Sequence, residues 1–301
     1  MKKPEDLSRI PKEVEEFNLE EEKQLLFSNE WVKFSKSYKK FQKSAFQSPL
    51  PFDPRSNAIH WGFAVGRLCR EIAFGYCWMN AYAKYYREQM SPDAQPANVD
   101  FHVSYFADNS ITRIASCRDK IALMVWAYYC PFNPEKKTEV LDYAKVLDRL
   151  KHPLRFGLSL KDCKRFLQQL EKLQDSDIIR MVHYRHLKIH RMEPRIEIYG
   201  AQPHHGLSYM FSLYEKDEIA KWERELEKQY PNDEHRKRIA NNCHINGVLF
   251  DRRKIESSIW SYEEVQQKLY RCLTRLLVVT AECFDLLRSR SPLKKKKRTG
   301  V

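Results

Sequence analysis

The sequence predicts an all-α chain: a bundle of long antiparallel helices carrying one small β-hairpin insertion. Three observations support this. Glycine is scarce, at 8 in 301 residues, while Leu, Glu, Lys and Tyr are common, a balance that favours helices over a β-sandwich. Apolar residues recur at helical spacing through stretches of many turns. Alternation appears only within 195–213, as RIEIYG and LSYMFSLY around the turn-forming PHHG, with His204 and His205 at its tip.

In chain order, Glu13 to Phe46 reads as one or two helices with acids preceding bases, and residues 1–50 form an N-terminal helical arm. The prolines of SPLPFDP (Ser48–Pro54) end it. The main body runs over 51–290. Ile59 to Gln89 is nearly apolar all round, the mark of a buried helix or a subunit contact; Gly62, Gly66 and Gly75 allow either close helix approach or a kink. Val99 to Cys130 carries a core stripe of Ile111, Ile114, Ile121, Val125 and Tyr128, with Arg118 inside it and Asp108, Thr112 and Asp119 along its side. Pro131–Lys137 is a turn. Thr138–Leu150 and Leu158–Gln174 are helical, the second with Ser159 as a cap. Lys216–Gln229 is a charged, exposed helix. Glu256–Arg288 closes the bundle with Leu269, Leu273, Leu276, Leu277, Val279, Cys283 and Leu286, and Ser261–Glu264 has the form of a capping box. Residues 291–301, containing PLKKKKR, form a basic disordered tail.

The stretch richest in chemistry is SDIIRMVHYRHLKIHRMEP (Ser176–Pro194). Ser176 caps a helix with Asp177 in its first turn, and Pro194 stops it. Ile178, Val182, Arg185 and Ile189 share one face, so a guanidinium sits within an apolar stripe. Left alone there it costs several kcal/mol, so it is paired, bound to an anion, or at an interface. His186 and His190 lie one turn apart on the flank. Three readings are open: satisfied structural side chains, a catalytic cation with a proton-transferring histidine, or a metal helix using His183, His186 and His190. The HExxH pattern is missing, because position 187 is Leu, and no metal is expected. Asp119 either pairs with Arg118 or a neighbouring Lys, or one of Asp108 and Asp119 orients the motif.

The formal net charge of +13 suits polyanionic partners: RNA, DNA or anionic lipid. Cys69, Cys77, Cys117, Cys272 and Cys283 lie in apolar helical patterns and no CxxC occurs, the usage of a reduced cytoplasmic protein. Neither a signal peptide nor a membrane span is expected. Glycine-rich phosphate loops are missing, and no cofactor is expected.

Arg185-His186-Leu187-Lys188-Ile189-His190 has the form R-x4-H with a polar residue directly after the Arg. In this motif, in its helical character, and in the polar-studded helix YFADNSITRIASCRDKIALMVWAYY before it, the chain resembles the HEPN superfamily. The resemblance covers about 60–195 and the last helix. It implies a metal-independent endoribonuclease in which the RNA 2′-OH attacks the phosphate, leaving a 2′,3′-cyclic phosphate. His190 would be the acid or base, Arg185 the phosphate cation, and His186 an orienting or second proton-transferring group. Asp119 or Asp108 would approach them from the earlier helix, and Lys188, Arg191 and Arg118 would hold RNA. It further implies a homodimer through the motif helix and a toxin–antitoxin or defence setting with an antitoxin protein. The alternatives are a non-catalytic RNA- or nucleotide-binding module of the same fold and a purely structural helical protein. Some HEPN proteins carry a Tyr two residues after the motif His; here that position is Met192, which puts nucleotidylation there in doubt.

Overall fold

A computed structural model of the protein describes residues 10–46, 54–89, 99–129, 142–156, 160–190 and 260–289, the pairs 196–197, 213–214, 224–225 and 250–251, and residue 228. Its helices are α1 (Lys12–Leu26), α2 (Asn29–Phe46), α3 (Pro54–Gln89), α4 (Val99–Tyr129), α5 (Tyr143–Lys151), α6 (Leu160–Glu171), α7 (Ser176–His190) and α8 (Tyr262–Ser289). Proline opens α3 at the one helical position where its missing N–H costs nothing.

The centre is an antiparallel pair, α3 against α4. Cys69 meets Cys117, Phe74 meets Phe106, and Tyr82 stacks on His102 with 4.5 Å between ring centres. The Ile111, Ile114, Ile121 and Val125 stripe of α4 is fully buried, as its spacing predicts. α1 and α2 run end to end along α3. Lys84 reaches Glu20 at 3.1 Å, and at the other end Tyr38 and Phe41 lie over Gly66 and Gly62. A Cβ on either glycine would meet those rings at 2.5 Å, so these glycines serve close helix approach. The expected arm therefore contributes Val14, Leu25, Phe34, Tyr38 and Phe41 to the same core as α3, α4 and α8.

α8 is the last stave and runs antiparallel to α3. Tyr262 donates to Asn80 at 2.9 Å near one end, and Phe284 packs on Phe41 at 4.4 Å near the other. Of the expected stave residues, Leu269, Leu273, Leu276, Leu277, Val279 and Cys283 are buried, and Leu286 packs partly buried against them. Ser261 Oγ accepts the Glu264 N–H at 3.2 Å, the forward half of a capping box; the Glu264 carboxylate turns instead to Lys268, a buried amine. α5 shows Tyr143, Val146, Leu147 and Leu150 on one face, the i, i+3, i+4, i+7 pattern of an amphipathic helix, and Asp142 caps it by accepting the Lys145 N–H at 2.8 Å.

Of the hairpin expected over 195–213, only residues 196–197 and 213 are described. β1 (Ile196–Glu197) pairs in parallel with β4 (Trp260–Ser261), and β2 (Leu213–Tyr214) pairs in parallel with β3 (Phe250–Asp251). Both described pairs are parallel, whereas the arms of a hairpin are antiparallel. Alternation marked the extended residues but not their partners. His204, His205, the 216–229 segment apart from single residues, the Ser159 cap and the basic tail lie outside the described residues.

Candidate functional site

α7 begins one residue earlier than a Ser176 cap requires. Asp175 is the cap: its carboxylate accepts the Asp177 N–H at 3.0 Å and its carbonyl the Ile179 N–H. Among the described side chains of α7, Ile178, Met181 and Tyr184 are buried and Val182 is half-buried, so over 176–185 the buried face is turned toward Met181 and Tyr184 from the expected face through Val182. The reason is its seat. α7 lies in the groove between α4 and α8 and presents a face to each.

Toward α8 the contact is a ladder of charges. Arg275 reaches Asp175 at 3.0 Å, Arg271 reaches Asp177 at 3.1 Å, and Arg180 reaches Glu264 at 3.6 Å. Position numbers rise on α7 as they fall on α8, so the helices are antiparallel. Toward α4, the Tyr184 hydroxyl donates to the Asp108 carboxylate at 2.6 Å. Next in sequence is Arg185, half-buried, whose Nε is enclosed and has no hydrogen-bond partner. This is the guanidinium predicted inside the apolar stripe. An enclosed N–H without a partner costs about 1–3 kcal/mol or more, which an arriving anion would recover.

Of the expected orienting acids, Asp108 is the one joined to α7. Asp119 lies eleven positions further along α4, about 16 Å of axis, and its ion partner is Arg118 at 3.6 Å. Arg118 is 17 % exposed, lies face-on to the Tyr143 ring at 4.6 Å, and has a buried Nε without a hydrogen-bond partner. Arg118 is therefore separated from the motif end of α7, though it borders the same helix through Ile179. His183 is exposed. His186, Lys188 and His190 belong to α7, but their side chains, and all of Arg191, lie outside the described residues. Sequence reasoning did not single out Tyr184; the available signal was a large side chain directly before Arg185, at a spacing of three from Met181.

A family model describing HEPN_Cthe2314-like HEPN domains matches residues 34–235, about two thirds of the chain. The chain belongs to this HEPN family. In this HEPN protein the match takes in α3 to α7 and the R-x4-H helix, and begins inside α2. α1 and α8 lie outside the matched span, yet α8 closes the bundle and holds α7 by its charge ladder. No curated protein and no solved structure matches the chain. Among the described residues, no helix is long and apolar enough to cross a membrane, and no three His, Cys, Asp or Glu side chains converge as a metal site. Six cysteines of the HEPN protein, those at 69, 77, 117, 163, 272 and 283, are buried thiols.

Proposed function

We propose that this HEPN protein is a metal-independent endoribonuclease whose centre is the C-terminal part of α7. The observation that carries the reading is Arg185: an enclosed guanidinium Nε without a hydrogen-bond partner, five positions before His190 on one helix. RNA brings its own nucleophile in the 2′-OH. Cleavage then needs a proton acceptor, a proton donor and a cation on the phosphorane. His190 takes or returns the proton, Arg185 binds the non-bridging oxygens, and His186 orients the pair or serves as the second transfer group. Lys188 and Arg191 neutralise the flanking backbone. The Tyr184–Asp108 hydrogen bond fixes the turn of α7 from which Arg185 projects.

Two motif helices facing each other would supply two arginines and two pairs of histidines, so the proposal includes a homodimer through α7. A cytoplasmic toxin–antitoxin or defence setting, with a protein antitoxin, belongs to the proposal on the family's account alone.

The test is purified protein with total and synthetic RNA in excess EDTA, beside His190→Ala. Cleavage leaving 2′,3′-cyclic phosphate ends, reduced about 10²- to 10⁴-fold in the variant, is the expected result. RNA binding without cleavage by a folded protein would replace the nuclease with a binding module of the same fold.

A further inference from the structure

A second cationic site lies away from the motif. Between α4, α5 and the start of α7 is a cavity of about 370 Å³. Arg118 forms one wall with its guanidinium over the Tyr143 ring, Lys151 and Gln174 stand at the rim, and Asp148, an acid in the lining, has its carboxylate 3.7 Å from His152. Leu147 and Ile179 supply an apolar side.

Arg118 is poorly satisfied where it stands. Its Nε is buried with no hydrogen-bond partner, and Asp119, its ion partner, is at 3.6 Å, beyond a good hydrogen bond. Asp119 Oδ1 is likewise buried and unmatched, so the two neighbours do not satisfy each other. The Tyr143 hydroxyl gives no help, because it donates to the Leu170 carbonyl. The Tyr143 ring lies 4.6 Å from the guanidinium carbon, Nε is enclosed without a hydrogen-bond partner, and the side chain lines the cavity. Arginine can combine such a cation–π contact with phosphate binding.

The size of the cavity is at the lower end of small-molecule sites, and its mixed wall suits a phosphate attached to a flat, partly apolar body. Ten residues of α4, about 15 Å of axis, separate Arg118 from Asp108, so the cavity lies away from the Tyr184–Asp108 contact. We infer that the Arg118 cavity is a nucleotide-phosphate site, with Arg118 as the buried anchor, Lys151 as the rim cation and the Leu147–Ile179 side receiving the sugar or base. The inference does not depend on cleavage at α7. The phosphate can belong to a free mononucleotide or to an RNA strand.

Calorimetric titration of the full chain tests it. Each 5′-mononucleotide, its nucleoside, and a short 2′-O-methylated oligoribonucleotide that cannot be cut are titrated in turn. Arg118→Lys keeps the charge and loses the fork; Lys151→Ala changes only an exposed rim residue and is the variant least able to disturb folding. Expected is one mononucleotide per chain, at least about ten-fold tighter than its nucleoside and weakened about ten-fold by Arg118→Lys and several-fold by Lys151→Ala. If only the oligonucleotide binds, with the same dependence on both variants, the phosphate belongs to a strand and the site stands. Binding unaffected by both variants in folded protein, or equal affinity for nucleoside and nucleotide, overturns the inference, as does absence of binding to any of the probes. Failure to cleave RNA leaves these readouts intact, so the two proposals fail separately.

Discussion

Tyr184 donates a 2.6 Å hydrogen bond to Asp108, which ties the residue immediately before Arg185 to the helix on which α7 rests. The bond joins residues 76 positions apart and ends on a carboxylate. It is therefore among the stronger kind of intramolecular hydrogen bonds.

Tyr184→Phe should lower stability by about 1–3 kcal/mol, the cost of losing a hydrogen bond to a charged group. Asp108→Asn should cost less, because an amide oxygen still accepts. Urea unfolding of both single variants and the double variant should give a coupling of about 1 kcal/mol. Additive losses would show that the two side chains do not act together.

Asp175 has two tasks: it caps α7 and pairs with Arg275 on α8. Asp175→Asn keeps the cap and removes the ion pair, so it should cost no more than about 1 kcal/mol and less in high salt. Asp175→Ala removes both and should cost about 1 kcal/mol more. Equal losses in thermal or urea unfolding would mean the cap contributes nothing.

Gly62→Ala should destabilise although alanine is the better helix former. The gain in propensity is about 1 kcal/mol, but the added methyl would lie 2.5 Å from the Phe41 ring. Overpacking of this kind costs about 1–3 kcal/mol. Phe41→Leu in the same chain should recover part of the loss. A stabilised Gly62→Ala single variant would contradict the close packing of α2 on α3.

Alkaline pH should unfold the bundle early. Burial pushes the thiols of Cys77, Cys272 and Cys283 up from 9.0 to about 12. The unfolded chain releases these protons near pH 9, while the folded chain keeps them to about pH 12. Between those values the folded state binds more protons, so stability falls as pH rises and is fully present below about pH 9. Each thiol adds a slope of at most about 1.4 kcal/mol per pH unit. Urea midpoints from pH 8 to 10.5 under reductant should fall progressively more steeply. Cys283→Ala, whatever its absolute stability, should show the shallower slope.

The helices were legible because long apolar periodicities leave little choice of structure. The α4 stripe and the α8 stave are buried where their spacing places them. Local competition was harder to read. Ser176 and Asp175 are both good caps, and the backbone geometry that makes Asp175 the cap is set by the preceding turn of 3₁₀ helix. Partners were the least legible. Alternation within 195–213 identified extended residues, but β1 and β2 pair with chain from 250–261, which periodicity cannot specify. At the site, the spacing of Arg185 marked a guanidinium in need of a partner. Which acid approaches α7 depends on how two helices are rotated against each other, and that brought Asp108 to Tyr184 while Asp119 met Arg118.

Ser37 on α2 bonds Asp285 on α8 at 2.9 Å, a contact across 248 positions, and Phe284 fills the aromatic nest of Phe34, Tyr38 and Phe41. This has a consequence for the order of events during synthesis. At about 5–20 residues per second, roughly 10–40 s pass between completion of α3 and completion of α8. Throughout that interval the aromatic faces of α2 and α3 have no α8 to receive, and α7 emerges before the helix that holds its charge ladder. A chain released before residue 262 lacks the helix that covers these apolar faces, so ribosome stalling upstream of α8 would produce fragments with exposed apolar surface.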